Sequence, residues 1–62
     1  MSVGANIRRI REEKGIPQVR LAEQVGISQP MLCQIERGTK VPSLPLGAEL
    51  ARALGCKLEA LL

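Results

Sequence analysis

The sequence contains no histidine, no aspartate and no aromatic residue. Without an imidazole there is no Ser-His-Asp or Cys-His relay, no histidine ligand for zinc and no general base near neutral pH. Cysteine is scarce: Cys33 and Cys56 are too few to close a four-ligand zinc site and too far apart to frame a disulfide scaffold. Long apolar runs are missing as well. The charge-free stretch from Val41 to Ala48 holds two prolines, a serine and a glycine, and nothing approaches the ~20 apolar residues of a membrane span. The N-terminus lacks an apolar segment after a basic start, so no signal peptide is expected. These absences predict a cytoplasmic protein with reduced thiols. Only Glu, Lys, Arg and Cys remain as catalytic groups, in no cluster, so neither an enzyme nor a cofactor, metal or small-molecule ligand is expected.

What remains is a chain of 62 residues, enough for one domain, whose core usually leaves about 3–5 kcal/mol of stability. Its net charge is +3 and its pI about 9.4. The excess is confined to residues 1–40, where Arg8, Arg9, Arg11, Lys14, Arg20, Arg37 and Lys40 face Glu12, Glu13, Glu23 and Glu36. In residues 41–62, Arg52 and Lys57 balance Glu49 and Glu59. A basic N-terminal two-thirds suits a polyanionic partner, although the same charge also serves ordinary solubility. Arg8 and Arg9 read most simply as a solvated helix face, paired at i, i+4 with Glu12 and Glu13.

Glycines punctuate the chain. Gly15, Gly26, Gly38 and Gly55 each follow a segment with helical apolar spacing, where a helix takes its left-handed C-terminal residue. The first segment runs from about Val3 to Lys14, with Ser2 as its cap and Val3, Ile7 and Ile10 at i, i+4, i+7. The second, about 18–25, buries Leu21, Ala22 and Val25. The third, about 29–37, opens behind Ser28, tolerates Pro30 in its first turn and buries Leu32 and Ile35. After the loop Thr39–Pro42, Ser43 caps a fourth helix carrying Leu46, Leu50 and Leu54. A last short turn holds Leu58, Leu61 and Leu62. No segment shows the period-2 alternation of a strand, so the expected fold is all-α, a compact bundle of about five short helices. Ile7, Ile10, Leu21, Val25, Leu32, Ile35, Leu50 and Leu54 are its expected core.

The stretch from Gln18 to Arg37 is the informative part. Small Ala22 permits close helix approach, Gly26 permits a tight turn, and the apolar residues fall where two steeply crossing helices need them. The third helix then turns Gln29, Pro30, Gln34 and Arg37 outward, a face without a carboxylate.

In Ile7-x-x-Ile10-Arg11, Gly15-Ile16-x-Gln18, Leu21-Ala22, Gly26-Ile27-Ser28, Ile35-Glu36-Arg37-Gly38, Pro42-Ser43-Leu44, Ala53-Leu54-Gly55 and Leu61-Leu62, the chain resembles the phage repressor/Cro-type (Xre-like) helix-turn-helix family along nearly its whole length. The resemblance implies a lambda-repressor-like domain spanning residues 1–62 that binds double-stranded DNA through the major groove as a homodimer on a palindrome. It implies base reading by Gln29, Pro30 and Gln34, and phosphate contact by Gln18, Ser28, Arg37, Thr39 and Lys40. It also implies a structural pair, Arg11 with Glu36. Leu58, Leu61 and Leu62 are candidates for the dimer contact or, equally, for closing the core. The rival reading is a protein-interaction module of the same fold, such as an antitoxin-like partner. Cys33 and Cys56 read as small apolar fillers, with a redox role for Cys33 the remoter alternative.

Three departures from the family pattern carry expectations of their own. Pro17 forgoes a capping bond, Pro45 is expected to delay the fourth helix, and Lys57 in place of a capping serine weakens the last turn. Gly47 stands where a large apolar residue is usual.

Overall fold

A computed structural model describes residues 2–62. Four helices follow one another: α1 (Val3–Glu13), α2 (Gln18–Val25), α3 (Gln29–Arg37) and α4 (Leu44–Leu54), closed by a 3-10 turn at Leu58–Ala60. There is no strand among the described residues. The expected five helices are thus four plus a single tight turn.

Local signals set the boundaries. The hydroxyls of Ser2, Ser28 and Ser43 accept from the backbone N–H of Ala5, Met31 and Leu46 at 3.0, 3.2 and 3.3 Å, satisfying one otherwise unpaired donor at each helix start. Pro17 supplies no such bond. Pro45 does not delay α4: the helix begins at Leu44, and proline sits in the first turn, where its missing N–H is not needed. Lys57 offers no side-chain cap, and the segment after it closes only as the 3-10 turn. The four punctuating glycines all adopt left-handed φ, between 68° and 85°.

None of these helices is long enough to stand alone in water, so each is held by the others. Helix α1 packs on α3 and α4, and α2 packs on the same two. The shared core is Ile7, Ile10, Leu21, Ala22, Leu32, Ile35, Leu50, Ala51, Leu54 and Leu61. Two differences from the expected core stand out. Val25, in the last turn of α2, is only half-buried. Leu61 is wholly buried, which gives it the core-closing role and leaves Leu58 half-buried and Leu62 exposed.

Two residues outside the apolar pattern fix how these parts meet. Gly4 lies where α1 crosses α3 so closely that a Cβ there would stand 1.9 Å from the carbonyl oxygen of Ile35. Asn6 is buried, and its Nδ2 donates to the carbonyl of Leu61 at 3.0 Å, tying the C-terminal turn to α1. The long contact order of that bond, from one end of the chain to the other, makes it a closing bond of the fold.

Candidate nucleic-acid interface

The turn between α2 and α3 is tight because Gly26 sits at φ 76° and the Ile27 N–H reaches back to the carbonyl of Ala22 at 3.0 Å. Ser28 then starts α3 at once. Within α3, Leu32, Ile35 and Glu36 point into the protein. Gln29, Pro30 and Arg37 are exposed, and Gln34 is half-exposed. The outward face thus carries amides, a proline ring and a guanidinium.

Beneath that face lies a chain of polar contacts. The Arg11 guanidinium grips the Glu36 carboxylate in a fork, Nε to Oε2 at 2.7 Å and Nη2 to Oε1 at 3.0 Å. Its remaining nitrogen, Nη1, donates to the Ile16 carbonyl at 2.9 Å. The pair is largely shielded, with side chains 11% and 3% exposed. Hydrogen bonding to Glu36 raises the Arg11 pKa above its ordinary value against the opposing cost of burial, so the guanidinium stays charged. A carboxylate can only accept, so the neighbouring amide must present its nitrogen: Gln18 Nε2 donates to Glu36 Oε1 at 3.1 Å. This leaves Gln18 Oε1 facing α3, where it accepts from Gln29 Nε2 at 3.4 Å. The order Arg11, Glu36, Gln18, Gln29 runs from α1 through α3 and α2 to the outer face.

Each amide retains capacity. Gln18 has a second Nε2 hydrogen, and Gln29 has a second Nε2 hydrogen and its Oε1. One donor and one acceptor side by side match the N7 and N6 edge of adenine. Pro17 caps nothing, so the first N–H groups of α2 are not covered by a side chain. Ser28 Oγ accepts from Met31, which leaves its hydroxyl hydrogen available.

Thr39 is placed differently from the expectation. Its hydroxyl donates to the Gln34 carbonyl at 3.1 Å, and the N–H groups of Thr39 and Lys40 bond the same oxygen at 3.0 and 3.3 Å. Three donors close the C-terminus of α3 there, so the threonine hydroxyl hydrogen is already engaged. Lys40 and Arg37 are exposed, and neither takes part in an ion pair among the described residues. The pair Arg11–Glu36 stands where the sequence put it.

The sequence reading missed Gly4 and Asn6. A glycine inside an amphipathic helical pattern is itself a signal of close packing; a buried asparagine carries no comparable mark. Cys33 and Cys56 are free and half-buried. The described residues include no group of three or more His, Cys, Asp or Glu able to hold a metal, and no helix long and apolar enough to cross a membrane.

The helix-turn-helix family profile matches residues 7–61. An immunity repressor protein of Bacillus phage phi105 is 41% identical over 61 residues, which cover 98% of this chain and 42% of the phage protein. An uncharacterized HTH-type transcriptional regulator of Sinorhizobium fredii, y4dJ, is 43% identical over 53 residues, 86% of this chain and 69% of that one. The chain therefore spans less than half of the first relative and about two thirds of the second. Among solved structures, the P22 c2 repressor protein in complex with synthetic operator 9T superposes with a TM-score of 0.92 at 32% identity, over 100% of this chain and 94% of the repressor.

Proposed function

Because this chain belongs to the helix-turn-helix family of transcriptional regulators, we propose that it is a sequence-specific binder of double-stranded DNA that acts as a repressor. The observation that carries this reading is the outer face of α3, where Gln29 and Pro30 are exposed and Gln34 is half-exposed, with no carboxylate among them. The likeness to two repressors, one of them solved on its operator, supports the repressor role.

Binding divides into two kinds of contact. Gln18, the open N–H groups of α2, the Ser28 hydroxyl, Arg37 and Lys40 hold phosphates and set the register of α3 in the major groove. Gln29 and Gln34 read base edges, and Pro30 packs against a thymine methyl. Thr39 contributes by holding the end of α3 and the Lys40 backbone in place.

A single copy offers few base contacts, so the active form is a homodimer with half-sites about 10 base pairs apart. Its face is the apolar groove lined by Val3, Val41, Pro42, Leu44, Gly47, Leu58 and Leu62. Val41, Leu44 and Leu62, exposed to 87%, 69% and 72%, are three of the four most exposed large apolar residues among those described, and all three border this groove. A second copy is the occupant that this reading requires. The groove adjoins Lys40, so a copy seated there stands beside the phosphate-binding loop.

Selection of bound sequences from random duplex DNA tests the proposal, followed by titration with salt. A two-fold symmetric site and steeply falling affinity with salt are expected. Gln29→Ala should cost about 1–3 kcal/mol and relax preference at one base pair, whereas Lys40→Ala should weaken all sequences alike. Equal losses on selected and random DNA for Gln29→Ala would end the base-reading assignment. Absence of any duplex binding, with association through the apolar groove retained, would favour the protein-interaction module instead.

A further inference from the structure

Two clefts flank Arg8, and they differ in charge. One, between Ala5, Arg8, Arg9, Glu12, Glu13 and Glu36, sets two arginines against three carboxylates. The other, of about 270 Å³, is lined by Arg8, Arg11, Gln18, Cys33, Glu36 and Arg37, three guanidiniums against one carboxylate. That single carboxylate is already neutralised from within: Glu36 accepts two bonds from Arg11 and one from Gln18, and its side chain is 3% exposed. Arg11 spends three of its five N–H groups on protein, one from each nitrogen, and keeps one hydrogen on each terminal nitrogen. The groups left to face the cleft are then donors: Arg37, Arg8, the second amide hydrogen of Gln18 and the remaining terminal hydrogens of Arg11. Arg8 holds Glu12 through Nε alone at 3.2 Å, and its two terminal nitrogens have no protein partner among the described residues. A site that offers donors from three helices, carries net positive charge and has room for several waters fits a tetrahedral oxyanion.

We infer that a DNA backbone phosphate seats in this cleft, gripped by Arg8 from α1 and by Arg37 from α3. The inference rests on the duplex-binding reading above and extends the contact surface to α1. The ion pair of Arg8 with Glu12 then acts as a positioning contact, holding Nε while the terminal nitrogens turn to the phosphate. Arg9, one residue on, pairs with Glu13 beside the acidic cleft and takes no part.

The test compares wild type, Arg8→Ala, Arg8→Lys and Arg9→Ala on a random-sequence duplex and on the selected site, each titrated with salt. Arg8→Ala and Arg9→Ala remove the same charge and the same kind of i, i+4 pair, so only a contact separates them. Arg8→Ala should flatten the slope of log affinity against log salt by about 0.9 per bound protomer. It should also weaken both duplexes alike, by about three- to five-fold. Arg8→Lys should keep the slope, and Arg9→Ala should follow wild type. Should Arg8→Ala match wild type, or should Arg8→Ala and Arg9→Ala flatten the slope equally, the cleft holds no phosphate. If wild type itself shows no salt-dependent duplex binding, the duplex-binding reading fails first and takes this contact with it.

Discussion

Gly4→Ala should destabilise the domain although alanine is the better helix former by about 1 kcal/mol. The added methyl would lie 1.9 Å from the Ile35 carbonyl oxygen, 2.9 Å from its carbonyl carbon and 3.1 Å from the Glu36 Cα, where ordinary contact begins near 3.4 Å. All three neighbours are backbone, so no side chain can swing aside. Relief requires α1 and α3 to part by about 1.5 Å at this point. A radial gap of 0.5–1 Å already forfeits about a quarter to a half of each dispersion contact, and Ile7 and Ile35 lie in the same seam. Overpacking against yielding neighbours costs about 1–3 kcal/mol; against a fixed backbone the cost should sit at the top of that range. After the propensity gain, the net loss is about 2 kcal/mol. For a domain with about 3–5 kcal/mol in total, this means a melting temperature lower by about 8–16 °C, at about 4–8 °C per kcal/mol. The chain has no fluorescent aromatic, so the assay is urea unfolding followed by far-UV circular dichroism. Ala5→Gly, at the exposed neighbouring position, is the reference and should lose about 1 kcal/mol through propensity alone. If Gly4→Ala proved as stable as wild type or more so, the close crossing of α1 and α3 would be wrong.

Other substitutions probe the polar pair and the apolar face. Arg11→Met leaves Glu36 buried without its fork and should cost about 3–5 kcal/mol, most of the stability, whereas Arg11→Met with Glu36→Leu should recover a large part of it; thermal melts of the three proteins decide. Because the folded-state pKa of Arg11 is raised, its contribution is fully present below the ordinary guanidinium value and is lost only as pH climbs through the raised one. Stability titrated across the neutral range should therefore show no step from this residue. Leu44→Glu should abolish self-association in sedimentation and weaken binding to a two-fold site, with little change in melting temperature, since Leu44 is 69% exposed; unchanged association would remove the apolar groove as the dimer face.

The helices were legible because the signals that bound them are local. A serine before an apolar period and a glycine after it fix where a helix starts and stops without reference to any distant residue, and Ser2, Ser28 and Ser43 do so here. Leu61 was undecided for the opposite reason. A leucine just after a three-residue turn faces inward or outward according to what the turn packs on, and here Asn6 in α1 bonds the Leu61 carbonyl. Val25 has the right period for the core, but as the last residue of an eight-residue helix it packs against that core only partly buried. At the interface, the exposure of Gln29 followed from the apolar spacing of α3, and the Arg11–Glu36 pair from the family pattern. The contact of Gln18 with Glu36 did not, because it depends on three helices meeting at one carboxylate. Thr39 illustrates the same limit: a loop threonine looks free in sequence, yet the open carbonyls at the end of α3 capture its hydroxyl.

In a domain this small the helix that carries the proposed base-reading face is also an element of the core. Helix α3 has nine residues; Leu32, Ile35 and Glu36 face inward, Met31 packs partly buried against the core, and Gln29, Pro30, Gln34 and Arg37 supply the outer surface. No second layer stands between them, so the position of Gln29 is set by whatever holds Leu32, Ile35 and Glu36. Apolar packing alone fixes the depth of such a helix better than its rotation, because dispersion is not directional. The fork from Arg11 supplies that direction: its two bonds, 2.7 and 3.0 Å long, define the plane of the Glu36 carboxylate, and the carboxylate in turn forces the orientation of the Gln18 amide. The Gln18 oxygen then meets the Gln29 amide at 3.4 Å, a contact long enough to yield when a base or a phosphate competes for either group. Strong bonds thus occupy the buried end of the relay and a weak one the exposed end, an order that orients Gln29 in the free protein and, under the base-reading role proposed for it, leaves it free to exchange partners on contact.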